Sequence, residues 1–112
     1  MTTYKMTCGF ETRHEVRDER KVASIAASLE RDGWIGAPVV IYDAGTLVAV
    51  TGVHRLEACE RAGRRPHTIT LREVFDEAGL DLAEIEVECD YDLRAIIDYL
   101  PEETAAKYGI EQ

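Results

Sequence analysis

No hydrophobic run in the 112-residue sequence approaches the roughly 20 residues that a membrane span needs. The opening stretch Met1-Thr2-Thr3-Tyr4-Lys5 holds no secretory hydrophobic region either. The expectation is a soluble, cytoplasmic protein with no membrane partner. Cysteine is scarce: Cys8, Cys59 and Cys89 are widely separated, odd in number and form no Cys-x-x-Cys pair. A disulfide framework and a structural zinc site are therefore not expected. His14, His54 and His67 lack the tight spacing of a metal pair, so no metal-binding residues are assigned. Repeats, low-complexity tracts and linkers are missing too. A chain of this length supports one compact domain, which buries about two-thirds of its unfolded surface.

An excess of positive charge is also lacking. Residues 1–75 carry 11 Lys+Arg against 10 Asp+Glu, whereas residues 76–112 carry 2 against 12, for a total of −9. A general nucleic-acid binder needs a basic footprint to displace counterions from phosphates, and this chain as a whole would be repelled. The first two-thirds, near neutrality, can still hold one small anion.

Hydrophobic spacing gives the elements. Asp18 suits an N-cap, and Val22, Ile25, Ala26 and Leu29 follow at i, i+3, i+4 and i+7, which predicts a helix over 19–32. Gly33 sits at its C′ position, with Trp34 placed to pack back on Leu29 as in a Schellman ending. Pro38 opens the run Val39-Val40-Ile41-Tyr42. Turn residues Asp43-Ala44-Gly45-Thr46 and the return Leu47-Val48-Ala49-Val50 complete a β-hairpin. A helix from Val53 to Ala62 ends at Gly63, a strand covers His67 to Leu71, and a short helix from Glu73 to Ala78 closes at Gly79.

The ends are harder to read. Thr3 to Thr7 suits a strand broken by Gly9. Ile85, Val87 and Cys89 alternate with acids as an edge strand would, while Leu82 and Ile85 equally suit a short helix. Leu93, Ile96, Ile97 and Leu100 have helical spacing, and Pro101 starts a last helix that Gly109 ends. The expected fold class is α+β: a small mixed sheet with a β-hairpin packed by helices, comprising a core over 1–79 and an acidic, mostly helical C-terminal extension of the same domain over 80–112.

The stretch that bears chemistry is Val50-Thr51-Gly52-Val53-His54-Arg55, which passes from a buried strand through a glycine into a helix. The first backbone N–H groups of a helix lack intrahelical partners and carry partial positive charge, and a glycine lets a ligand approach them closely. This is an anion site, with phosphate its usual occupant. At about 100° per residue, Leu56, Ala58, Cys59 and Ala62 form an inward stripe centred on Arg55. His54 flanks the stripe and Glu57 points to solvent. A guanidinium on that face must be paired or must reach a pocket at the helix mouth.

The span from Asp18 to about Gly79 resembles the ParB/sulfiredoxin superfamily. The likeness lies in Asp32-Gly33-Trp34, in Ala37-Pro38-Val39-Val40 entering the hairpin, in Thr51-Gly52-Val53-His54-Arg55-Leu56-Glu57-Ala58, and in Ala62-Gly63 before a strand. Small stand-alone ParB-like domains of bacteria and phages are the most similar members. The resemblance implies a nucleotide pocket with ATP or CTP, base unresolved, and Mg²⁺. Thr51, Gly52, Val53, His54 and Arg55 would hold the phosphates. Arg55, His54 and Glu15 would carry any slow phosphoryl transfer or hydrolysis, with Arg55 stabilising charge and His54 or Glu15 handling the proton. Glu15 lies among Arg13, His14, Arg17 and Asp18, where relatives place base- or metal-handling residues, although a solvated loop is the better account of these residues.

Departures from the family narrow this. Sulfiredoxin needs a cysteine where this chain has Val53, and Cys59 lies more than a turn away, which removes sulfinic-acid repair. Partition ParB continues into a helix-turn-helix where this chain is acidic, which removes chromosome partition. A nuclease reading rests on family labels alone and lacks a basic groove. The alternative is a non-catalytic interaction module whose acidic C-terminal third docks a protein partner. On that reading residues 80–112 are separable, and their removal leaves the pocket intact. Arg61, Arg64 and Arg65 are read as cations favouring a helix C-terminus.

Overall fold

Val39 to Tyr42 lie at the middle of the sheet, and all four are at most 5% exposed. The computed structural model describes residues 6–7, 9–12, 16–43 and 45–112. Its elements run β1 (Met6–Thr7), β2 (Phe10–Thr12), α1 (Glu19–Asp32), β3 (Val39–Asp43), β4 (Leu47–Ala49), α2 (Val53–Ala62), β5 (Thr68–Thr70), α3 (Leu71–Glu77), α4 (Leu82–Glu88), α5 (Leu93–Ile97) and α6 (Glu102–Tyr108). The sheet order is β1-β2-β4-β3-β5. The β3–β4 hairpin pairs antiparallel with Ile41 opposite Ala49, and β2 and β5 lie parallel to β4 and β3 respectively. This is the expected mixed α+β architecture.

Strand alternation sends β3 side chains to two covered faces, which explains why the run is continuously apolar. Val39 and Ile41, with Ala49, meet Leu56 of α2 on one face. Val40, Tyr42 and Val50 meet α3 to α6 on the other, in a cluster with Leu71, Val74, Phe75, Leu82, Ile85, Ile96 and Ile97. The fold is thus a sheet between an α1–α2 layer and a layer built from the four C-terminal helices. The Tyr42 hydroxyl donates to Glu86 Oε2 at 2.6 Å, tying β3 to α4.

Helix α1 is capped as its sequence predicts: Asp18 Oδ1 accepts from Lys21 N at 3.1 Å. It closes through a single bond from Gly33 N–H to the Leu29 carbonyl at 3.1 Å, not the paired bonds of a Schellman ending. Trp34 does pack on the cluster of Val22, Leu29, Ala58 and Cys59. Of the two alternatives for the acidic alternation, residues 82–88 take the helix, because Asp81 caps them and Leu82 and Ile85 reach the core together. Strand β2 was not anticipated. It pairs antiparallel with the neighbouring β1 and parallel with β4, which lies far away in sequence, and Phe10-Glu11-Thr12 carries a single apolar residue. No helix among the described residues is long and apolar enough to cross a membrane.

Candidate functional site

Strand β4 leads directly to the site. Val50 N–H extends the hairpin ladder to the Val40 carbonyl at 2.8 Å. Thr51 Oγ1 accepts from Val40 N at 3.0 Å, which leaves its own hydroxyl proton free to donate. Gly52 is the N-cap of α2, left-handed at φ 76° and ψ 33°, and offers no side chain to cap it. A Cβ built on Gly52 would stand 2.9 Å from Val39 Cγ2. The glycine is therefore required by the packing of α2 against the sheet as well as by its φ. No acidic residue occupies the first turn of α2, so the helix dipole is uncompensated there.

Gly52, Val53 and His54 open into a cleft of ≈ 640 Å³. Three cations line it from other elements: Arg17 ahead of α1, Lys21 in the first turn of α1, and Arg94 on α5. Two carboxylates, Asp98 and Glu111, line it as well. His54 Nε2 accepts from Arg17 N and Asp18 N, each at 3.3 Å, so its ring proton sits on Nδ1. The basic nitrogen is thereby spent on holding α1 to α2, and Nδ1–H remains as a donor.

Sequence reasoning singled out Thr51, Gly52, Val53 and His54, and the structure brings all four to this cleft. Arg55 is not among its lining residues. Its Cζ lies 3.8 Å from the centroid of the Trp34 ring, and Nη2 donates to the Ile35 carbonyl at 3.1 Å. Burial pushes its pKa down while Cys59 opposes the shift, and the guanidinium stays charged. Trp34 in turn stacks on His67 with ring centroids 5.4 Å apart. Trp34 Nε1 is the one buried side-chain polar atom without a hydrogen-bond partner among the described residues. Such a group costs about 1–3 kcal/mol.

Glu15, together with Arg13, His14 and Cys8, lies outside the described residues. Glu57 corrects its expectation: it is 9% exposed, not solvated. The single-stripe wheel fails because α2 has neighbours on several sides: the sheet at Leu56, α1 at Ala58 and Cys59, and β1. Arg61 joins Glu57 Oε1 at 3.2 Å to Glu19 Oε2 at 2.8 Å, so it clasps α2 to α1 rather than serving the helix dipole alone. Cys59 is fully buried and desolvation raises its pKa, leaving an inert thiol.

Lys21 and Arg94 were not anticipated. Arg94 did leave a signal, as one of only two cations in an otherwise acidic third. Lys21 left none, because exposed lysines are ordinary on a helix. No family model and no curated protein matches the chain.

Proposed function

We propose that the chain is a ParB/sulfiredoxin-like domain that binds the phosphate groups of a nucleotide in the cleft at the start of α2. One observation carries the reading: an uncapped helix N-terminus, free of acid in its first turn, opens among Arg17, Lys21 and Arg94. Backbone N–H groups at Gly52 to His54, the Thr51 hydroxyl and His54 Nδ1–H supply donors. The three cations supply countercharge. The cleft volume falls within the range of pockets that take whole small-molecule ligands.

ATP and CTP both suit this arrangement, since its donors and cations address the phosphates that the two share. Among the described residues no group of three or more His, Cys, Asp or Glu forms a metal site. A Mg²⁺ ion would depend on phosphate oxygens with Asp98 and Glu111, an arrangement usual for nucleotide-bound Mg²⁺. The proposal is of binding. Phosphoryl transfer through Arg55 is not carried forward, because that side chain is engaged at Trp34 and Ile35.

The test is a thermal-shift panel of ATP, ADP, CTP and GTP with Mg²⁺ on the parent, Lys21→Gln and Arg94→Gln. A ligand at about 100 times its Kd adds roughly 2.7 kcal/mol, on the order of 10 °C in Tm for this size. ATP and CTP should raise Tm in the parent, and both variants should lose most of that rise. A rise unchanged in both variants but abolished by Arg55→Gln overturns the cleft assignment. No rise with any nucleotide overturns the proposal. The standing alternative is then docking of a basic partner, favoured by the exposed Val87, Tyr91 and Tyr99 in the acidic C-terminal third.

A further inference from the structure

We infer that the hollow walled by Ser28, Trp34, Ile35 and Arg55 is a binding site for a carboxylate. It shares no lining residue with the cleft at the start of α2. Its volume, ≈ 160 Å³, suits a short acid rather than a nucleotide.

One charged donor, Arg55, lines it with most of its N–H groups unmatched. Among the described residues no carboxylate forms an ion pair with Arg55. Of its five N–H groups, one donates to the Ile35 carbonyl. A guanidinium carried on an aromatic face keeps its edge free, and a planar carboxylate can meet that edge with both oxygens. The Trp34 ring that carries this guanidinium is a wall of the hollow, and its own Nε1–H is buried, so the indole senses the site without meeting the ligand. Ser28 adds a half-buried hydroxyl, and Ile25 and Leu29 add apolar wall that fits a methylene stem. A single cation matches a monoanion better than a phosphate dianion. The chemistry is that of a Glu or Asp side chain on a partner segment, or of a small free acid.

Trp34 is the only tryptophan, so one indole N–H signal in a proton–nitrogen correlation spectrum of the full chain reports on the site. Sodium propionate at constant ionic strength should move that signal saturably, and propionamide should not. Arg55→Lys, which keeps the charge and loses the fork, should weaken the response about tenfold while the remaining amide spectrum stays dispersed. N-acetyl-glutamate amide binding more tightly than propionate identifies a protein side chain as the ligand, and the reverse order identifies a free acid. An indole signal that stays still, follows propionamide equally, answers inorganic phosphate more strongly, or responds unchanged in Arg55→Lys overturns the inference. The nucleotide panel reads Lys21 and Arg94, so either proposal can fail without the other.

Discussion

At Gly52 two constraints fall on one residue: a φ of +76°, and a position where an added Cβ would meet Val39 Cγ2 at 2.9 Å. Left-handed backbone costs an L-residue about 1–2 kcal/mol, and overpacking a rigid core adds about 1–3 kcal/mol. Gly52→Ala should therefore destabilise the chain by roughly 2–5 kcal/mol, measured by urea unfolding at unchanged slope. An unaltered midpoint would mean that α2 sits farther from β3 than described. The glycine itself was legible in the sequence, but its reason was not. Gly-to-helix spacing suggests room for a ligand, whereas the steric demand comes from a strand residue 13 positions upstream. Arg55 makes the same point. Its place on the apolar stripe was readable, but the partner it found, the Trp34 ring, depends on how α1 ends.

Among the elements, α3 and α6 are joined by one carboxylate. Glu77 accepts from Lys107 Nζ and from the Tyr108 hydroxyl. These bonds, that from Lys107 first, hold the Glu77 pKa below the ordinary carboxylate range. A folded-state pKa that is depressed contributes stability above the unfolded value, about 4.3 for Glu, and loses it as pH falls through the folded value. Glu77→Gln should thus melt below the parent at pH 7, and the two Tm curves should converge in acid. Parallel curves across that range would show that Glu77 does not hold α6. The elements of the middle of the chain were readable because their signals are local: Asp18 as cap, Gly63 as stop, Pro38 before a β-branched run. Residues 82–89 stayed open between strand and helix because Ile85, Val87 and Cys89 alternate while Leu82 and Ile85 have helical spacing. Only the Asp81 cap and the core on one side select the helix.

Across the whole molecule, residues 80–112 are not separable from the rest. Leu82, Ile85, Ile96, Ile97, Leu100, Ala105 and Ile110 make up more than half of the largest buried cluster. Gln112 Nε2 donates to the carbonyls of Ile97 and Leu100, and Arg94, Asp98 and Glu111 help line the cleft. Burying each large side chain contributes about 1.5–3 kcal/mol, and a domain's net stability is only about 5–15 kcal/mol. A chain ending at Gly79 should show no cooperative melt by circular dichroism and no nucleotide response. A cooperative transition there would restore the expectation of a self-sufficient core with an appended acidic tail.

What the sequence by itself determined is the α+β class, the hairpin, the two helices beside it and the helix N-terminus that opens the site. These follow from propensity, capping and periodicity, which act over a few residues. Only the tertiary structure decided that the acidic third closes over the sheet, that Lys21 and Arg94 meet at the cleft, that Glu57 is buried and that Arg55 turns to Trp34. Each depends on which surfaces meet across long stretches of chain, and local spacing carries no information about that.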